Sequence, residues 1–68
     1  MFGNMEQLAR LLTALGYFVA RTPYHLTAHR AADGSVVAIH RSGAKYTIND
    51  IPTKTDLQTM LLYIRLNL

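Results

Sequence analysis

The sequence predicts an α+β fold, a two-layer sandwich in which an N-terminal and a C-terminal helix cover one face of a three- to four-stranded antiparallel meander. Three observations carry this. Between Tyr24 and Asn49, apolar and polar side chains alternate with the period of strands, punctuated by Asp33-Gly34 and Ser42-Gly43. Ahead of that stretch, Met5, Leu8, Leu11, Leu12 and Leu15 fall at helical spacing. Behind it, Leu57, Met60, Leu61, Ile64 and Leu68 do the same. The predicted order is α-β-β-β-β-α in a single domain spanning residues 1–68.

Taken in order, Met1 to Gly3 is a lead-in, and Asn4 with Gln7 fits a helix start, the Asn side chain accepting from a free amide. The leucine stripe follows, leaving Glu6, Gln7, Arg10 and Thr13 outside, and Gly16 closes the helix as a left-handed cap. Tyr17 to Arg21 is rich in strand formers, and Pro23, which cannot donate to a ladder, interrupts it. With Arg21 facing Tyr24, Val19 joins the buried face and Phe18 reaches the open face beside Thr27.

Asp33-Gly34 reads as a two-residue hairpin loop, pairing Ala28 with Ile39 and Thr27 with His40. Ser42-Gly43, read the same way, pairs Ile39 with Tyr46 and His40 with Lys45. One face then collects Tyr24, Leu26, Ala28, Val37, Ile39, Tyr46 and Ile48, and the other His25, Thr27, His29, Ala38, His40, Lys45 and Thr47. Arg30 and Arg41 fall on the apolar side by parity, next to turns where long stems can return their charges to water. Asn49 to Lys54 is a connector bent by Pro52. The second helix starts at Thr55 with Gln58 three positions on, or at Thr53 with Asp56. Its ending also carries Leu62, Tyr63 and Leu66 on a second side, more apolar surface than one small sheet covers.

The chain has 68 residues and no cysteine, so no disulfide or thiolate metal site supports its small core, and a reducing compartment such as the cytoplasm is the simpler expectation. A chain of this kind packs very efficiently or shares its core with a second copy. No stretch reaches the roughly 18 uncharged apolar residues of a spanning helix, and no secretory leader pattern opens the chain, which reads as a soluble protein without a membrane partner. Lys and Arg outnumber Asp and Glu by seven to four, a mild excess that suits an anionic partner.

The open face is where function is sought. An aromatic ring, three imidazoles, hydroxyls and a lysine on a flat surface suit a nucleic-acid strand, with rings stacking on bases and cations meeting phosphates. The candidate nucleic-acid-binding residues are Phe18, Arg21, Thr27, His29, His40 and Lys45. Equally, such a face is what any amphipathic antiparallel sheet presents to water. His25 and His29, four apart on one strand, lie about 13 Å apart, and His40 is expected diagonal to both at roughly 7 Å. A two-ligand metal site is conceivable at that spacing, a closed one is not, and no metal or cofactor is expected. An imidazole on this face has the chemistry to take a proton from a ribose hydroxyl, but no Ser-His-Asp or Cys-His set, phosphate loop or carboxylate pair accompanies it.

Leu11-Leu12-Thr13-Ala14-Leu15-Gly16-Tyr17, followed by Val19 and Arg21, a His opening the next strand (His25), the Asp33-Gly34 hairpin, a Val-rich strand ending in His40 and a last helix resemble the HicA toxins. The resemblance covers about Met5 to Arg41. It implies a double-stranded-RNA-binding-like fold, mRNA interferase (endoribonuclease) activity with His25 as the catalytic residue, and an antitoxin of the HicB type as partner. The chain departs from the family pattern at Pro23-Tyr24, where the family has Gly-Ser, and in the additional strand Lys45 to Ile48. Thr55-Asp56-Leu57 stands where the family commonly has Gly-Thr-Leu. A rival from another class is a noncatalytic interaction module, a phage- or plasmid-encoded inhibitor or adaptor, which docks on a protein partner or forms a homodimer through Leu62, Tyr63 and Leu66.

Overall fold

The computed structural model describes residues 4–49 and 54–68, the side chain of Asn4 excepted. Its elements are α1 (Asn4–Ala14), β1 (Phe18–Arg21), β2 (His25–Arg30), β3 (Ser35–Ser42), β4 (Lys45–Ile48) and α2 (Leu57–Asn67). The strands form one antiparallel sheet in the order β1-β2-β3-β4, the expected α+β meander. No helix among the described residues is long and apolar enough to cross a membrane.

α1 lays Met5, Leu8 and Leu12 into the core, with Ala9 buried beside them and Leu11 and Leu15 half-buried. Its end is the glycine cap read from sequence. Gly16 has φ 95°, its amide donates to Thr13 O at 3.0 Å, and the Tyr17 amide reaches back to Leu12 O at 3.0 Å. This pair of bonds is a Schellman motif, and it satisfies carbonyls the helix leaves open. The proposed Asn4 side-chain cap, the lead-in, the Pro52 bend and the Thr53 start lie outside the described residues or side chains.

All three hairpins pair two residues away from the expected register, and each displacement has a local cause. In β2–β3 the partners are Leu26↔Ile39 and Ala28↔Val37, with Ala31 to Gly34 forming the loop. A two-residue type I′ turn needs positive φ at both central positions. Only Gly34 adopts one, at 73°. Asp33 instead folds its carboxylate back onto the Ser35 amide at 3.0 Å, and the Gly34 amide donates to Arg30 O at 3.0 Å.

In β3–β4 the loop is Gly43-Ala44, with Ile39↔Ile48 and His40↔Thr47. Gly43 takes φ 62° at the first central position, the place a type II′ turn reserves for glycine. In β1–β2 the loop is Pro23-Tyr24, giving Val19↔Ala28 and Phe18↔His29. Proline is suited to the first central position of a turn and disfavoured at the second, which the expected loop required. The same change moves Tyr24 out of the buried face to which the sequence reading assigned it, and it is exposed.

Because every displacement is even, the faces survive. Leu26, Ala28, Val37, Ile39, Tyr46 and Ile48 are buried against the helices, and Val19 is partly buried. α2 contributes Met60 and Ile64 to the same core, with Leu57, Leu61 and Leu68 packed against it. Its cap is Asp56, whose carboxylate accepts from the Thr59 amide at 2.8 Å, in place of Thr55. Thr55 is occupied elsewhere, exchanging both backbone bonds with Tyr46 at 2.7 and 2.8 Å along the outer edge of β4. Among the described residues no strand lies beside the outer edge of β1.

Arg30 reaches water only in part, and the two helices end around its charge. Nη1 donates to Leu15 O at 3.2 Å and to Leu68 O at 3.5 Å, the carbonyls just past α1 and at the cap of α2. The guanidinium lies 4.6 Å from the centre of the Tyr17 ring and makes a two-pronged pair with Asp33, at 2.6 and 3.2 Å. A cation at helix C-termini is favourable to the aligned peptide dipoles. Arg41 stays at its turn, donating to Gly43 O at 2.8 Å.

The Arg30 side chain, and then the Ser35 hydroxyl and amide, hold the Asp33 carboxyl well below the usual aspartate range. A depressed folded-state pKa contributes stability above the ordinary value of about 3.9 and loses it as pH falls through the lower folded value. We expect urea midpoints to be level near neutrality and to fall below about pH 4. In Asp33→Asn that acid limb should be shallower; an identical limb would show that Asp33 does not supply it.

Candidate nucleic-acid interface

The face away from the helices is built by alternation along each strand. β1 contributes Phe18 and Ala20; β2 His25, Thr27 and His29; β3 Val36, Ala38 and His40; and β4 Lys45 and Thr47. The displaced registers rearrange the rows across the sheet. Phe18, His29 and Val36 form one row, Ala20, Thr27 and Ala38 the next, and His25, His40 and Thr47 the third. The expected row of Phe18, Thr27, His40 and Lys45 is not formed, since its pairs belonged to the tighter turns.

Two ring pairs result. Phe18 and His29 have ring centroids 5.5 Å apart, tilted by 31°. His25 and His40 lie directly across from one another with centroids 4.3 Å apart and planes at 40°. The Arg41 amide donates to Tyr24 O at 2.9 Å, so Tyr24 and Arg41 form a hydrogen-bonded pair and the adjoining His25 and His40 a non-hydrogen-bonded one. Such pairs bring their side chains closest, at about 4.5 Å between Cα atoms. His40 is therefore opposite His25, a correction to the diagonal placement. Neither ring has a hydrogen bond among the described residues. His25 is half-buried and His40 exposed.

Of the remaining candidates, Phe18, Thr27, His29 and Lys45 are exposed on this face. Arg21 is not part of it. It pairs across from Leu26 on the helix side, and its guanidinium approaches Glu6 of α1 at 3.6 Å. Arg30 and Arg41 share that parity, which leaves Lys45 as the basic strand residue on the open side and makes its rings the larger part of its chemistry. Lys45 also sits near enough to Asp56 for its charge to help lower that carboxyl's pKa, after the hydrogen bonds from Thr59. Among the described residues no group of three potential metal ligands comes together.

Val36 is a feature the sequence reading passed over. It is 68% exposed and flanks His29, completing an apolar groove with Phe18, Ala20 and Thr27. The signal was available, because one of two adjacent valines on a strand has to face outward. On the opposite side of the molecule, α2 exposes the three residues proposed for partner binding, Leu62, Tyr63 and Leu66, the last at 74%.

No family model, curated protein or solved structure matches the chain.

The observed register has a direct check by nuclear magnetic resonance. A strong Hα–Hα contact is expected between His25 and His40, as in any non-hydrogen-bonded pair, together with ring-to-ring contacts for Phe18 and His29. Finding the strong contact between Thr27 and His40 would instead restore the tighter turn.

Proposed function

We propose that this chain is a small RNA-binding protein that engages a strand of RNA on its open sheet face, in the manner of the HicA mRNA interferases it resembles. One observation carries the reading: two ring pairs, Phe18 with His29 and His25 with His40, stand on a flat surface facing away from both helices. Aromatic and imidazole faces stack on bases without needing a particular sequence, typically for about 1–3 kcal/mol per base. Thr27 and Thr47 offer hydroxyls to sugar and phosphate, and Lys45 supplies the charge. His25 is the catalytic candidate, its imidazole removing the 2′-hydroxyl proton so that the oxygen attacks the adjacent phosphorus while the bond to the 5′-oxygen breaks, leaving a 2′,3′-cyclic phosphate and a 5′-hydroxyl that takes its proton from water. The double-stranded-RNA-binding-like fold and a HicB-type antitoxin partner belong to this proposal.

His25→Ala tests the catalytic part. The variant should stay folded yet lose RNA cleavage and growth arrest, by a factor of 10² or more as for removal of a general base. Binding should be salt-dependent, with a logarithmic slope that falls by about 0.7 in Lys45→Ala for single-stranded RNA. Cleavage that persists in His25→Ala removes His25 from the chemistry, and an absence of RNA binding at low salt removes the reading altogether.

A second reading is favoured by a different observation, the exposure of Leu62, Tyr63 and Leu66 on α2. In it the chain is a noncatalytic adaptor or inhibitor, docking on a protein or on a second copy through that surface. Sedimentation of Leu66→Glu separates the two: a dimer that becomes a monomer supports this reading, and a wild-type monomer with no protein partner counts against it.

A further inference from the structure

The corrected β2–β3 register places His25 and His40 where two imidazoles can share one ion. In the diagonal arrangement first expected, at roughly 7 Å, a two-ligand site was conceivable and a closed one was not. As a directly opposed, non-hydrogen-bonded pair they project from Cα atoms about 4.5 Å apart on the same side of the sheet. Two nitrogens, each 2.0–2.1 Å from one ion, lie roughly 3–3.5 Å from each other. Ring centroids 4.3 Å apart, with planes inclined by 40°, bring the two imidazoles close enough for one nitrogen of each to approach a shared ion. Neither ring is committed to a hydrogen bond among the described residues, so no hydrogen bond has to break for a nitrogen to take up an ion.

We propose that His25 and His40 form a two-nitrogen site for a first-row transition-metal ion of the nickel, copper or zinc class, its other positions filled by water. Imidazole is the ligand these ions prefer, whereas magnesium and calcium take oxygen ligands that the pair lacks. The site lies on a strand pair, the most regular part of the molecule, which fixes the spacing of its ligands. It is also incomplete by the standards of dedicated sites. Among the described residues no carboxylate or carbonyl orients either imidazole from behind, an arrangement that ordinarily raises affinity 10- to 100-fold. The neighbouring Lys45 charge opposes a cation as well. The ion is therefore held weakly and exchanges readily, with open positions available to an oxygen of a ligand lying on the sheet. None of this depends on whether that ligand is RNA.

The test uses the tag-free chain with Ni²⁺ or Zn²⁺ alone, and Mg²⁺ as the control. An ion that binds the folded state lowers the apparent unfolding constant by the factor 1 + [ion]/Kd, about 100-fold at a concentration 100 times Kd. The expected result is a rise in the thermal midpoint with Ni²⁺ and Zn²⁺, reversed by EDTA and absent with Mg²⁺. His29→Gln should retain it; His25→Gln and His40→Gln should each lose it. A paramagnetic measurement on the unmutated protein guards against misfolded variants: Ni²⁺ should broaden the ring signals of His25 and His40 together before those of His29. No midpoint shift at millimolar Ni²⁺, a shift that survives His40→Gln, or broadening centred on His29 would each overturn the proposal.

Discussion

The constraint on which the molecule depends is the two-residue period of the extended chain. Each hairpin can slide by an even number of residues and keep its apolar side chains inside, but an odd slip between β2 and β3 would put Leu26 on the opposite face from Val37 and Ile39. In three places the turn chemistry chose a register other than the simplest one, and in all three it moved by two. The hydrophobic core thus determines parity, while the loops determine the particular partners. That division of labour explains why the two faces, the helix-covered one and the open one, are insensitive to details that rearrange every row across the sheet.

What closes the sandwich is less obvious. A helix on a small sheet is held by its leucines but can rotate or slide over them, and the polar fixings are few. Arg30 is the most connected of these. From the last position of β2 it reaches the carbonyls ending both helices, the ring of Tyr17 and the carboxylate of Asp33. One side chain thereby relates the ends of α1 and α2 to the β2–β3 loop. The same loop geometry that displaced the register also positions Asp33 to fork onto that guanidinium, so the turn and the helix ends are adjusted to each other.

Much of this was legible from residue order, and the limits are physical. The Leu8–Leu12 stripe, the Gly16 cap and the alternation through Leu26–Ile48 are local patterns, read from neighbours a few positions away. The loop at Asp33-Gly34 was misjudged because the dipeptide signals a turn, while whether Asp33 adopts positive φ or uses its carboxylate as an acceptor depends on Arg30. The α2 cap was misjudged because Thr55, an equally good cap in isolation, is taken by β4. Arg21 was grouped with the open face for its charge, although its parity with Val19 placed it on the other side. The contact of His25 with His40 followed from the loop and was invisible until the loop was known.

The bridge between Thr55 and Tyr46 has a bearing on how copies of this molecule can meet. It occupies the outer side of β4 midway along that short strand, while β1 leaves its own outer backbone without a strand neighbour among the described residues. Growth of the sheet by adding strands is thus blocked at one end and permitted at the other. Joining through β1 is a head-to-head encounter in which each copy uses the one strand edge that, among the described residues, lacks a backbone neighbour. A pair joined in this way is closed with respect to strand addition, because the Thr55 bridge, together with Lys45 on β4 itself, guards the other edge.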